Sequence, residues 1–280
     1  MTALPAPGVH PGIGFEEYLG WDALSNSALG DFAECPAKYL WKRANPEPET
    51  DAMRLGSAAH CLVFEGLKEY LSRHAFGPCN DRRTKKWTEW ATPLENSFDL
   101  LTPEQDGVAT HIAHTVWNDP SLLRVLTSCP DRELSLLWTD PATGVLCKCR
   151  FDAYGREFCG GTVADLKTCQ DASPIAFRWT MQKYGYDRKA AWYLRGAAAC
   201  GLPAEHFMYF AVESKPPHLA AGYRMTDRSL MAQHRATDKL LARFAECQKS
   251  GVWPGYTEHG IIDLEPSEWR LRELEKEDTE

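Results

Sequence analysis

Apolar positions recur at helical spacing through the first half of the chain and switch to strict alternation near residue 133. Residues 1–20 are rich in Pro and Gly and predict an irregular segment. The stretch ALSNSALGDFAECPAKYLWKR (23–43) predicts two short helices broken at Cys35-Pro36, with Ser25 or Ser27 as N-cap. NPEPET reads as a linker. Leu55, Ala59, Leu62 and Val63 fall at i, i+4, i+7 and i+8, which predicts a helix over 51–65. His60 lies beside that stripe, and Gly56 sits one turn before it. A further helix is expected over 103–127.

ELSLLWT (133–139) and VLCKCRFDAY (145–154) then predict two strands joined by the turn DPATG. In the second strand Val145, Cys147, Cys149 and Phe151 share one face, and Lys148, Arg150 and Asp152 share the other. REFCGGT turns the chain into a third strand, TVADLKTC (162–169). Helices follow at 172–183 and about 187–200, then strands HFMYFAVE and LAAGYRM, and a last helix at 227–250. Helices, a three-strand meander, helices, two strands and a helix make an α/β layer fold with a mixed central sheet flanked by helices. The expected organisation is an irregular segment at 1–20, one domain at 21–269 and a polar, frayed tail at 270–280.

Composition narrows the class. The chain has 280 residues, 44% hydrophobic and 25% charged, enough to bury one sizeable core. No apolar run reaches membrane-spanning length, and the opening MTALPAPGVHPG lacks the basic start and apolar stretch of a signal peptide. A soluble cytoplasmic protein is expected. The 10 cysteines are scattered without a C-x-x-C pair, so reduced core thiols are expected rather than a zinc or iron–sulfur centre. A net charge of −8 excludes a uniformly basic surface but leaves room for a local channel. Its densest candidate is DRRTKKW, where Arg82, Arg83, Lys85 and Lys86 precede Trp87. Such a run is either a solvated loop or a grip on phosphates with a ring placed to stack on a base.

The candidate chemistry lies in Asp152, Asp165 and Lys167, spaced D-x12-D-x-K across two strands joined by a tight turn. Asp165 and Lys167, two apart, share one face of a strand. Two carboxylates brought together repel unless a cation or proton lies between them. Mg²⁺ suits oxygen ligands and phosphate, with Mn²⁺ as a substitute. A cross-strand ion pair is the plain alternative.

These stretches, in this order, resemble the PD-(D/E)xK nuclease superfamily and, within it, the RecE (exonuclease VIII) type of phage recombination exonuclease. The likeness runs from about Ser25 to Tyr256 through LSNSALGDFAECPAKY, MRLGSAAHCLVFE, CKCRFDAY, VADLKT, YGYDRKAAWYLRGA, FAVESKPPH and GVWPGY. The resemblance implies a restriction-endonuclease-like core. It implies His60, Asp152, Asp165 and the backbone carbonyl of Leu166 as metal ligands, and Asp152, Asp165 and Lys167 as the catalytic set. It also implies a Mg²⁺-dependent exonuclease degrading linear duplex DNA from 5′ ends, and a ring-shaped homo-oligomer threaded by DNA. A single-strand annealing protein would be the partner, in the bacterial host of a phage or prophage. Where the family often has Gln-x-x-x-Tyr on the next helix, this chain has Lys189 and Tyr193.

Glu133 is either an accessory acid or a surface residue. Tyr186, Lys189 and Tyr193 are candidates for DNA contact, against core packing for the tyrosines. Two other functions stay open: an endonuclease or repair nuclease of the same superfamily, and a catalytically silent DNA-binding module of the same fold.

Overall fold

A computed structural model describes residues 4–257 and 260–277. Residues 1–3 and 278–280, at the ends of the two terminal segments, lie outside the described residues. In chain order the elements begin with β1 (Gly8–His10), α1 (Phe15–Leu19), α2 (Asn26–Glu34) and α3 (Pro36–Ala44). Next come α4 (Asp51–His60), prolonged by a π-helical turn at Cys61–Glu65, and α5 (Leu67–Arg73), β2 (His74–Phe76), α6 (Lys85–Ala91) and β3 (Asp99–Leu101). Then follow α7 (Pro103–Asn118), α8 (Pro120–Ser128), β4 (Asp131–Thr139), β5 (Leu146–Gly155) and β6 (Thr162–Cys169). The chain continues through α9 (Pro174–Tyr184), α10 (Tyr186–Ala199), β7 (His206–Glu213), β8 (Ala220–Arg224), α11 (Asp227–Ser250) and α12 (Glu268–Glu277). No helix among the described residues is long and apolar enough to cross a membrane.

The expected mixed central sheet is present. Its order is β1-β4-β5-β6-β7-β8, antiparallel throughout except for the parallel pair β6–β7, whose connection carries α9 and α10. One face packs Phe151, Val163, Phe207 and Tyr209 against α2, α3, α10 and α11. The other packs Ala164, Leu166, Phe210 and Val212 against α4, α7 and α8. Gly196 lets α10 lie close to the sheet, since a Cβ there would stand 2.8 Å from the Trp138 ring and 3.0 Å from the Cys149 sulfur. Cys147 and Cys149 are buried as free thiols in this layer.

Local rules account for most of the helix boundaries. Ser25 caps α2 by accepting from the Ala28 amide at 3.2 Å, and Pro36 opens α3 at the break. The single helix expected over 103–127 is two, because Asp119 caps a new start and Pro120 lacks the N–H that a continuous helix needs. The Pro/Gly-rich N-terminal segment is less irregular than its composition predicts. Gly8–His10 pairs along β4, and the buried Lys148 Nζ donates to the carbonyls of Tyr18, Leu19 and Trp21 at 2.8–3.0 Å. Burial pushes the Lys148 pKa down to about 8. The segment expected to fray at 270–280 begins inside α12, where Arg270–Glu273 and Arg272–Glu268 pair along the helix.

Candidate active site

The site lies where two strands part. β5 and β6 pair only at Ala153↔Ala164, Tyr154↔Val163 and Gly155↔Thr162, beside a turn through Gly161, whose φ is +97°. Beyond Ala153 and Ala164 the strands diverge, and the next residue on each is Asp152 or Asp165. β6 runs on beside β7, while the edge of β5 is taken by Leu24, which bonds Leu146 and Lys148 at 2.8 Å. The Asp152 carboxylate accepts the Leu166 amide across the gap at 3.3 Å.

A break in alternation aims the first acid. Phe151 packs on the α10 side of the sheet, but Ala153 packs on the α4 side, although residues two apart normally share a face. No residue is inserted, since Leu134↔Phe151 and Arg132↔Ala153 keep one register. Opposite Asp152 stands Glu133, at φ +52°, a backbone region that costs a non-glycine residue energy. Glu133 and Asp152 thereby reach the α4 side together. His60 Nε2 lies 3.2 Å from Asp152 Oδ2 and 3.4 Å from Glu133 Oε1.

Asp165 is fully buried, and each of its oxygens meets an ammonium group, Lys167 on Oδ2 and Lys189 on Oδ1. Lys167 Nζ also lies 3.2 Å from the Leu166 carbonyl. Arg150 holds Glu133 Oε2 at 2.6 Å and ties the centre to the N-terminal segment through the Ile13 carbonyl at 2.7 Å. The electrostatics follow from burial opposed by partners. For Asp152, burial favours protonation, but the charges of His60, Lys189 and Lys167 outweigh it and hold the carboxyl well below the usual range. Burial would discharge His60, but Asp152 and Glu133 outweigh it and raise its pKa. Burial raises the Glu133 pKa despite His60. Lys167 is pushed down by burial and by Lys189, against the pull of Asp165. Lys189 is raised, because Asp165, Tyr193 and Asp152 overcome its burial.

The residues fit a divalent cation. Glu133 Oε1 is buried without a hydrogen-bond partner, and the neighbouring ligand atoms are carboxylate oxygens and one imidazole nitrogen, the set a hard or borderline ion takes. His60, Glu65 and Glu133 offer ligand atoms within 4.8 Å of one another. Glu65, not anticipated from sequence, sits at the end of the π-helical turn with its carboxylate clamped by Arg73 at 2.8 Å. An acid five residues after a histidine was its only signal, and helical spacing of 3.6 does not single that offset out.

The remaining candidates divide. Tyr193 is buried under Lys189, whose Nζ stands 4.9 Å from the ring centre. Tyr186 borders the centre, its ring 5.2 Å from Lys167 Nζ, and its carbonyl accepts the Tyr209 hydroxyl at 2.6 Å. Arg83 and Lys85 are exposed, while Arg82 bonds the Leu100 carbonyl and Gln105 at 2.8 Å. Trp87 does not meet the expectation of a ring free to stack on a base. It is only 5% exposed, between Arg82 at 4.6 Å and Gly77, where a Cβ would lie 2.1 Å from the indole. A tryptophan in the first turn of α6 is drawn inward by its own apolar area, whatever charges precede it.

Comparison with known proteins agrees with this fold. Residues 25–262 match the family model of a PDDEXK-like domain of unknown function (DUF3799). No curated protein has a sequence that matches this chain. The fold is similar to the crystal structure of a candidate exonuclease from Eubacterium rectale, with TM-score 0.63 and 14% identity over 94% of this chain and 98% of that one. The crystal structure of SSO0001 aligns at TM-score 0.37 and 14% identity, over 86% of this chain and 84% of that one.

Proposed function

Because the chain belongs to the PDDEXK-like family DUF3799, we propose that it is a metal-dependent deoxyribonuclease acting at the parted ends of β5 and β6. One observation carries the reading: His60, Glu133, Asp152, Asp165 and Lys167, from four separate elements, converge at a single break in the sheet. A cluster of that composition, half-buried around a fully buried Asp165, has no packing purpose, since apolar residues would stabilise the same space at least as well. That argues against a silent binding module.

In this reading His60, Asp152 and Asp165, with the Leu166 carbonyl and Glu133 beside them, hold Mg²⁺ or Mn²⁺. The bound ion would polarise a phosphoryl oxygen and supply a water acidic enough to attack phosphorus. Lys167, on the same strand face as Asp165, orients that water and offsets the charge that grows on the phosphate. Asp165 keeps the Lys167 amine in place, and Asp152 braces the gap through the Leu166 amide. Arg150 holds Glu133 in the orientation that faces His60.

The ordered likeness to RecE-type enzymes supports the finer reading: 5′→3′ degradation of linear duplex DNA, leaving 3′ strands for an annealing protein. It also supports a ring-shaped homo-oligomer working in a bacterial cytoplasm on behalf of a phage or prophage. Linear duplex labelled separately at each end, incubated with Mg²⁺, Ca²⁺ or EDTA, is the test. Release of the 5′ label first, in Mg²⁺ alone and with closed circles spared, is expected. Cutting of closed circles would favour an endonuclease, and no cutting of any DNA would remove the nuclease assignment.

A further inference from the structure

The surface beside the centre carries a feature that the metal chemistry does not use. Helix α9 packs on the sheet through Phe177, which is buried against Tyr186, Tyr209 and Tyr223. Its opposite face presents Ile175, Trp179 and Lys183 at i, i+4 and i+8, with Arg178 and Gln182 alongside. Ile175 is 72% exposed and Trp179 68%, an unusual use of a large indole on a solvated helix. The helix, PIAFRWTMQKY, contains no acid to neutralise Arg178 or Lys183.

This face leads into the centre. Tyr184, 57% exposed at the end of α9, stacks on Tyr186 with ring centres 5.8 Å apart and planes 24° from parallel. Lys183 lies 5.1 Å above the Tyr184 ring, and Lys167 lies 5.2 Å from that of Tyr186. Exposed rings alternating with cations, ending at a carboxylate–lysine centre, match the needs of an unpaired nucleic-acid strand. Each base offers an apolar face to stack, and each phosphate offers a charge to neutralise. A duplex would keep its bases stacked on one another and leave the rings unused.

We infer that α9 is a stacking platform for single-stranded DNA approaching the β5–β6 centre, with Trp179 and Tyr184 as the rings and Arg178 and Lys183 as the phosphate contacts. The inference rests on the nuclease reading and names the form, a single strand parted from the duplex, in which the DNA reaches the centre.

Fluorescence anisotropy with Ca²⁺ in place of Mg²⁺ tests it, using labelled oligothymidylate and an abasic strand of equal length. Trp179→Ala should weaken binding of oligothymidylate about 10- to 100-fold and leave the abasic strand within about twofold, since only bases stack. Trp179→Phe should recover most of the loss. Arg178→Ala with Lys183→Ala should weaken both strands and lower the salt slope by about 1.4, the contribution of two phosphate contacts on a single strand. Because Trp179 is exposed, its variants should melt as the wild type does. Wild-type affinity of Trp179→Ala for oligothymidylate, or an equal loss on the abasic strand, would overturn the proposal. Duplex cleavage by the wild type in Mg²⁺, run in parallel, separates the two failures. Cleavage with no effect of Trp179 sinks the platform alone, whereas neither cleavage nor strand binding sinks the nuclease reading with it.

Discussion

The chain places an acid two residues before a base at Asp81-x-Arg83 and again at Asp165-x-Lys167, and folding makes different objects of these two pairs. Asp81 and Arg83 pair at 3.0 Å with side chains 49% and 91% exposed, on the loop that leads into α6, where Arg82 has Asp51 and, in the helix, Lys85 has Glu89. Asp165 is 0% exposed and Lys167 16%, and a second ammonium group, Lys189, completes the cluster. Water screens the first pair to near irrelevance, since exposed ion pairs contribute little and fade with salt. Burial makes each charge of the second depend on the others, so none can be removed without stranding its partners. Spacing in sequence is common to both. Burial separates a surface pair from a reactive centre.

The largest test of that contrast is Asp165→Asn. Activity should fall at least about 10³-fold, beyond the loss of one electrostatic donor, because in the proposed site the acid both holds the metal and anchors Lys167. Stability should fall as well, by about 3–5 kcal/mol, the usual cost of breaking a buried pair from one side. Adding Lys189→Met should restore part of the melting temperature without restoring cleavage. A single variant that melts and cuts like the wild type would put Asp165 in the same category as Asp81.

Lys167→Met comes next. Cleavage should drop about 10²–10³-fold, while Mn²⁺ still binds by calorimetry. Joint loss of metal binding and cleavage would make the lysine a structural counterion only.

Much of this centre was legible because strands have a period of two. Asp165 and Lys167 must share a face, and the alternation of Cys147, Cys149 and Phe151 put β5 in the core. What was not legible came from contacts distant in sequence. Nothing near Asp152 announces that alternation breaks there, because the cause is the left-handed backbone of Glu133 on the neighbouring strand. Lys189 stands out in sequence at the position where the family often has glutamine, but its partner does not, because only the packing of α10 on the sheet brings its amine to Asp165. The basic loop stays open between its two readings for the opposite reason. Charge density can be counted in sequence, but the acids that neutralise Arg82 and Lys85 come from Asp51 and from the next turn of α6.

A pH titration separates the two regions by a smaller margin. His60 carries a raised pKa, so its stabilising contribution is complete below the unfolded value of about 6.5 and is lost as pH rises through the folded value. The metal-free protein should therefore lose thermal stability over that window. Mn²⁺ affinity should rise over the same window, by about tenfold per pH unit while one proton is displaced. His60→Ala should flatten both curves. Curves unchanged in that variant would remove His60 from the ligand set, whereas Asp81→Asn should move neither.

The smallest effect expected is also the most direct check on the loop. Arg83, Lys85 and Lys86 changed together to Ala should alter duplex affinity by no more than about twofold and the salt slope by less than about 1, since a phosphate contact would contribute about 0.9 each. Arg83 and Lys85 already have carboxylate partners, so a phosphate would gain them only by displacing Asp81 and Glu89. Arg82→Ala belongs to a different experiment. Its guanidinium bonds the Leu100 carbonyl and Gln105 and lies over Trp87, so its loss should cost about 1–2 kcal/mol and lower the melting temperature by several degrees with DNA affinity kept. A triple variant whose salt slope falls by about 2.7 would show all three side chains on phosphates. The loop would then stand beside the buried centre as a working part of the molecule, and exposure alone would no longer distinguish the two acid–base pairs.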